Sequence, residues 1–424
     1  MPPPRITGIY DSLPGFGPRA RAFVPHPLPP ADPPLLIKGD LAVLHERALA
    51  ELGRLRVAAA MVPDPTWFLY GFVRKEAVLS SQIEGTQATL RDVATFESEG
   101  EISLPDDVEE VCNYVAALNA ARDELAEPNG RPLGIDLLAS LHTILMRGAR
   151  GGRKSPGAIR HSQNWIGGRD PATARFVPPP PERVRPLLAD LDRWVQQNDP
   201  KDPLPPLVRA GLAHVQFETI HPFLDGNGRI GRMLITLLVE RWGLLHQPLL
   251  YLSVAFKRRR REYYDRLTAV REEGDWEGWT AFFLECVREA AVDGVAVAGA
   301  LQAIMTEARR AVADHPRATV AAVRLVDRLP AAPIVTVQRV AELLDITPPT
   351  ARKAIELLQD AGVLGETTGR QRDRVYAFER YLHALTAESD TQATDPGAVG
   401  TGGSTVSDNG LRDLAERVRD DRSV

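Results

Sequence analysis

The chain has 424 residues, 44% of them apolar and 25% charged, with 51 Lys and Arg against 56 Asp and Glu. This is the composition of a folded protein of roughly two to four domains, and a net charge of −5 excludes a basic nucleic-acid coat or an acidic disordered chain. Cys112 and Cys286 are the only cysteines, which excludes a disulfide scaffold and a cysteine zinc cluster. No apolar run reaches the ~20 residues that span a bilayer, and the N-terminus has no signal-peptide core. The expectation is a cytoplasmic protein without membrane contact.

Residues 1–34 hold eleven prolines. Proline fixes φ and lacks the backbone N–H, so an extended arm is expected here, neither helix nor strand. In the next unit, 35–104, the apolar positions Leu41, Leu44, Ala48, Leu52 and Leu55 share one helical face and predict a helix over 41–60. A second helix is expected from Trp67 to Ser81, with Gly85 as its break. From 105 to 295 the pattern is helical, with segments near 107–126, 134–147, 182–197, 206–220, 227–242, 260–272 and 276–292. Between them, the Gly- and Pro-rich run 164–181 excludes a long helix. Trp165-Ile166 and Arg175–Val177 predict a short hairpin around Asp170-Pro171.

A further unit covers 315–384. Thr336 caps a helix at 337–344, and Thr347-Pro348 opens another that Gly362 stops. The β-prone pieces Val363–Thr367 and Arg374–Phe378 follow. Helix, turn, helix, hairpin is the order of a winged helix-turn-helix. The tail, 387–424, lacks large apolar residues over 387–410 and is expected to be disordered. The fold class is therefore mainly α: a helical core with a short β-hairpin, plus a small C-terminal α+β winged helix-turn-helix.

The chemistry concentrates in His221-Pro222-Phe223-Leu224-Asp225-Gly226-Asn227-Gly228-Arg229-Ile230-Gly231-Arg232. This segment opens a helix whose Ile230, Met233, Leu234, Leu237 and Leu238 recur at helical spacing. A helix N-terminus presents unpaired N–H groups and partial positive charge, and the two glycines let a phosphate approach the backbone. Arg229 and Arg232, three apart, can both reach phosphate oxygens. Asp225 beside the nest suits Mg²⁺ held partly by phosphate oxygens and water. His221 can take a proton from a hydroxyl near neutral pH. Together these residues specify phosphoryl or nucleotidyl transfer from a nucleoside triphosphate. The P-loop pattern is absent, which excludes a Walker-type ATPase.

The run His221 to Arg232 resembles the Fic-family signature H-P-F-x-[DE]-G-N-G-R-x-x-R at every fixed position. The resemblance extends over about 35–290: Phe72–Leu90 is similar to the N-terminal region of the larger Fic proteins, and Gln163–Gly168 with Phe176–Pro181 resembles the Fic flap. Membership implies transfer of AMP from ATP to a Ser, Thr or Tyr hydroxyl of a target protein. It makes His221 the base, Asp225 the Mg²⁺ ligand, Gly226, Asn227 and Gly228 the phosphate cradle, and Arg229 and Arg232 the neutralising cations, with Arg232 near the γ-phosphate. Phe223 would anchor the loop in the core. Ser80-Ser81-Gln82-Ile83-Glu84-Gly85 resembles the family's inhibitory motif [ST]-x-x-x-[ED]-[GN]. Ser80 and Glu84 share a helix face, and a Glu84 carboxylate on Arg232 would displace the γ-phosphate. The target would pair with the flap edge by β-augmentation. Homodimerisation is common in the family.

Several other residues have plainer readings. His214 and Glu218, four apart, lack the H-E-x-x-H spacing and read as packing residues. Lys257–Arg261 reads as a solvated helix face. Tyr263 and Tyr264 stand equally for core packing and for stacking on adenine. Across 315–380, ten Lys and Arg against eight Asp and Glu leave DNA and protein as equal candidate partners of the C-terminal unit. Three other activities stay open: removal of AMP, with Glu84 orienting a water; transfer of another nucleotide or phosphate-linked group; and a nucleotide-sensing, DNA-binding regulator.

Overall fold

A computed structural model describes residues 5–61, 66–99, 105–148, 152, 154–197 and 204–386. Its elements run β1 (Gly8–Ser12), β2 (Arg21–Pro25), α1 (Asp40–Ala60), α2 (Thr66–Ile83), α3 (Leu90–Glu99), α4 (Asp106–Ala126), α5 (Ile135–Leu145), α6 (Pro181–Gln196), α7 (Pro206–Ile220), α8 (Asn227–Arg241), α9 (Ser253–Arg258), α10 (Arg260–Glu273) and α11 (Trp276–Ala313). Then follow α12 (Val320–Arg328), β3 (Ile334–Thr336), α13 (Val337–Leu344), α14 (Pro348–Asp360), β4 (Gly365–Glu366), β5 (Val375–Ala377) and α15 (Glu379–Thr386). The chain is mainly helical, with small sheets.

The centre is the pair α7 and α8. Each is buried around most of its circumference, polar residues such as His214 and Arg232 included; in α8, Ile230, Met233, Leu234, Leu237 and Leu238 are all buried. Pro206 opens α7, where a missing N–H costs nothing. α1 lies along the long helix α11, and α2 packs on α4 and α9. An aromatic layer of Phe256, Tyr263, Trp279 and Phe282 joins α9, α10 and α11.

Three expectations change. The segment 1–34 is not an extended arm over its described part. The runs between its prolines pair as the antiparallel hairpin β1–β2, from Gly8 opposite Pro25 to Ser12 opposite Arg21. Pro25 takes the last position of β2, opposite Gly8, and the other described prolines sit in the flanks and the connection, where no ladder N–H is needed. This hairpin backs the flap: Phe23 N donates to Val177 O at 2.9 Å, and Leu13, Ala20 and Ala22 pack on Val177. Second, the helix expected at 276–292 continues to Ala313, so no linker separates a unit ending at 295 from the next. One apolar cluster runs from the α7–α8 core through Leu301 and Met305 to α12 and α14. Third, the flap ladder is a single pair, Ile166 with Phe176, because Gly167 and Gly168 turn at φ 66° and 105°.

In the C-terminal part, Thr336 accepts from Arg339 N and caps α13, and α13 and α14 pack against each other. A three-stranded sheet follows in the order β3-β5-β4. α3, α9, α12, α15 and strand β3 have no counterpart among the expected elements. The expected disordered tail, 387–424, lies outside the described residues. No described helix is long and apolar enough to cross a membrane.

Candidate active site

The site forms where α7 stops and α8 begins. α7 ends because His221 adopts the left-handed conformation, φ 52° and ψ 61°, while its N–H still bonds Phe217 O at 2.9 Å. Left-handed backbone strains a non-glycine residue, so the surroundings must hold it. Arg160, 2% exposed, does so. Its Nε donates to His221 O at 2.8 Å, and its Nη2 reaches Pro179 O at 2.5 Å, tying the histidine to the base of the flap. Arg160 N donates to Pro222 O at 2.9 Å.

His221 Nδ1 lies 3.3 Å from Glu218 O, which only accepts. The neutral ring therefore carries its proton on Nδ1 and leaves Nε2 as the basic atom. Burial, and then the nearby Arg160 charge, push the imidazole down to about 4, so it is neutral at pH 7.

The loop after it is braced from inside. Phe223 is fully buried and stacks on His142, with ring centroids 3.9 Å apart and planes 5° apart. Gly157 N donates to His142 Nδ1 at 2.9 Å, so Nε2 bears the proton and donates to Asp225 O at 3.0 Å. Burial holds His142 near 4, the neutral form this arrangement needs. Asn227, expected in the phosphate cradle, turns its side chain inward. Oδ1 accepts from Phe223 N and Nδ2 donates to Phe223 O, both at 2.8 Å. Its side chain closes the loop, which leaves the backbone N–H at the start of α8 as its group for an anion.

Gly226 precedes α8 at φ 74°, a conformation that favours glycine. Asp225 Oδ1 accepts from Gly226 N at 2.7 Å, and its side chain keeps 50% exposure at the rim. A half-exposed carboxylate beside free helix N–H groups suits an ion bridged to a bound phosphate. Among the described residues no three His, Cys, Asp or Glu converge as a ready metal cage. Arg229 is buried and paired with Glu110 of α4 at 3.0 Å, and lies 3.9 Å from Asp225 Oδ1.

The end of α2 closes the site. Arg232 Nη2 meets Glu84 Oε1 at 2.7 Å and Ser80 O at 2.8 Å, and its Nε donates to Ser80 Oγ at 2.9 Å. A methyl group placed on Gly228 would stand 2.2 Å from Glu84 Oε1. The Glu84 carboxylate thus lies directly on the first turn of α8, where the anion nest was expected. Burial alone would push this carboxyl up; Arg232, with Arg229 behind it, overrides burial and holds it below the ordinary value. Gly85 ends the segment at φ 103°.

The residues with plainer readings also have definite places. His214 is enclosed, its Nε2 2.8 Å from Tyr263 OH, and burial lowers it to about 3. Glu218 is pushed up to about 7 by burial. Tyr263 is core, whereas Tyr264 lines a cavity of about 510 Å³ with Arg175, Arg260, Arg261 and Asp265. Arg260 Nε donates to Ile83 O at 3.1 Å, which sets this cavity beside the end of α2. Along Lys257–Arg261 the side chains bond their own protein, for example Lys257 to Gln82 and Arg259 to Glu289. Cys112 and Cys286 are free thiols, both pushed up by burial, Cys112 to about 11. Arg160, His142, Glu110 and the exposed end of the flap carry no short motif of their own. Sequence reasoning misses the first three because their partners lie tens of residues away.

Residues 43–123 match the Fic/DOC family N-terminal region, and residues 132–239 match the Fic/DOC family. The two matches together take in most of the stretch 43–239. The protein adenylyltransferase Fic of Drosophila yakuba is 31% identical over 133 residues, covering 31% of this chain and 24% of that protein. The protein adenylyltransferase fic-1 of Caenorhabditis briggsae is 32% identical over 161 residues, covering 37% and 28%. The chain spans about a quarter of the length of these curated relatives. A Fic family protein of Desulfovibrio desulfuricans G20 overlays with a TM-score of 0.49 at 22% identity, covering 79% of this chain and 95% of that one.

Proposed function

We propose that this protein is a protein adenylyltransferase held inactive by its own Glu84. The observation that carries the reading is the Glu84 carboxylate seated on Arg232 and on the first turn of α8. A site built for an anion holds a tethered one. ATP would place its polyphosphate there, with Arg232 at the γ-phosphate once Glu84 has moved away. The N–H groups of Asn227 and Gly228 would receive the phosphates, and Arg229, kept straight by Glu110, would add charge from below.

The target hydroxyl oxygen attacks the α-phosphorus, its proton passes to His221 Nε2, and pyrophosphate leaves with the electrons of the broken P–O bond. Arg160 acts by fixing the position of His221. Asp225 would hold Mg²⁺, which when bound neutralises polyphosphate charge. A target segment would lie along the flap edge at Ile166, which is 40% exposed. We read residues 315–384 as a winged helix-turn-helix on the order of their elements. The two unpaired cysteines suit a reducing, cytoplasmic setting.

Mass spectrometry of the Glu84→Gly protein, incubated with Mg²⁺ and each nucleoside triphosphate in turn, tests this. An AMP adduct on a Ser, Thr or Tyr, formed from ATP, supports the reading. An adduct from a different nucleotide only would change the donor. No adduct, together with release of AMP from an AMP-modified peptide, would replace transfer by removal.

A further inference from the structure

The C-terminal part carries a cleft of about 970 Å³ that takes no part in the site above. Its walls are α14, the start of α13 and the β4–β5 turn. Arg352 projects from α14, and Arg370, Arg372 and Arg374 project from the turn, all four exposed. Arg352 and Arg372 have no partner among the described residues. Four arginines against two acids, Glu356 and Asp373, leave the lining with a net charge of +2. Val337 is its one aliphatic residue and Tyr376 its one aromatic. A protein-docking surface centres on a cluster of apolar and aromatic anchors, and this lining offers only these two, with Tyr376 buried. Unpaired guanidinium groups beside glutamine amides suit a phosphodiester backbone and base edges.

A continuous line of contacts runs from this cleft to Glu84. β5 begins just after the arginine-bearing turn, and its Val375 and Ala377 pack with Ala94 of α3. One turn further along α3, Glu97 accepts from Arg74 Nη2 at 2.6 Å and from Tyr70 OH. Arg74 and Tyr70 belong to α2, whose far end holds Ser80 and Glu84. On α2, Gly71 is so close to α15 that a Cβ there would stand 2.6 Å from Leu385 Cδ2. Arg91 of α3 pairs with Glu379 of α15. The inhibitory helix is therefore gripped by the same unit that carries the cleft.

We propose that the cleft docks double-stranded DNA, and that docking is passed through β5, α3 and α2 to Glu84, so that DNA relieves the self-inhibition. The second half rests on the adenylyltransferase reading; the first does not. Contiguity is not coupling, so the coupling itself must be measured.

Fluorescence anisotropy of a labelled DNA duplex with the full chain tests docking. If the four arginines engage about four phosphates, affinity falls roughly 150-fold between about 50 and 200 mM salt. The exposed double variant Arg352→Glu/Arg372→Glu is expected to melt as wild type does and to bind at least about tenfold more weakly, with a shallower salt dependence. No binding at low salt, or equal binding by the double variant, overturns the docking site. Tighter binding of an RNA duplex of the same sequence overturns DNA as the partner. Self-labelling from α-labelled ATP, with and without duplex, tests the relay. Duplex is expected to raise labelling severalfold in the wild type and to leave the Glu84→Gly protein unchanged. Binding without a rise in wild-type labelling overturns the relay. Failure of the Glu84→Gly protein to label itself counts against the adenylyltransferase reading alone, because anisotropy does not depend on it.

Discussion

Replacing Arg160 by Met tests the claim that a buried guanidinium holds the base in place. Arg160 donates to His221 O at 2.8 Å, Pro179 O at 2.5 Å and Ser162 O at 3.3 Å, and Ile220 O lies 3.4 Å from Nη2. Burial lowers its pKa to about 10, so it is charged at pH 7. Hydrogen bonds from a charged donor contribute ~1.5–3 kcal/mol each, and the two short ones go to carbonyls that methionine would strand. Methionine fills most of the volume and no longer needs its charge desolvated, which offsets part of the loss. The net cost is about 3 kcal/mol. An unfolding entropy of ~2.1 cal/mol/K per residue, over roughly 380 residues, gives about 0.8 kcal/mol/K, so the melting temperature should fall by about 4 °C. In the Glu84→Gly background, labelling should fall at least about tenfold, as expected when a base is misplaced by an ångström. Differential scanning fluorimetry and label transfer read the two effects. A melting temperature within a degree of the parent, with labelling intact, would refute the reasoning.

His221 must be unprotonated to accept a proton, so activity is lost as pH falls through its pKa. With that pKa lowered to about 4, kcat/KM of Glu84→Gly should hold down to about pH 5 and fall below it; an acid limb centred near the ordinary histidine value of ~6.5 would contradict the burial argument. Gly228→Ala puts a methyl 2.2 Å from Glu84 Oε1 and 3.0 Å from Arg232 Nη1, in the space a phosphate needs. Equilibrium dialysis should find ATP binding lost with or without Glu84, and retained binding would count against the nest. Gly71→Ala drives a Cβ against Leu385 and should unseat α2; label transfer should rise severalfold while Glu84 is present and stay level in Glu84→Gly, and an unchanged wild-type background would speak against the grip on α2.

What could be read in the sequence was local. The 3.6-residue spacing of Leu41, Leu44, Ala48, Leu52 and Leu55 locates α1, and caps such as Thr336 locate α13, because both signals act within one helix. The run His221 to Arg232 is legible because its backbone chemistry is contiguous: a glycine-flanked helix start needs no distant partner to attract an anion. Long-range partners are not legible. Nothing near Arg160 points to the carbonyl of His221, and Asn227 looks like a cradle residue until its amide is found closing on Phe223. Proline counting misjudged the first segment, since position matters more than number; the proline-free runs around Ile9 and Phe23 were long enough to pair. The end of α11 is hard to read because the stretch after residue 292 is rich in Ala, Gly and Val on both its buried face, through Val297, Leu301, Met305 and Val312, and its exposed one, which blunts the helical contrast.

The most direct test of self-inhibited AMP transfer compares label from α-labelled ATP on wild type, Glu84→Gly and Glu84→Gly/His221→Ala, with Mg²⁺. Strong label is expected only on Glu84→Gly. Equal labelling of wild type and Glu84→Gly would remove Glu84 from control, and equal labelling of Glu84→Gly and the double variant would remove His221 as the base.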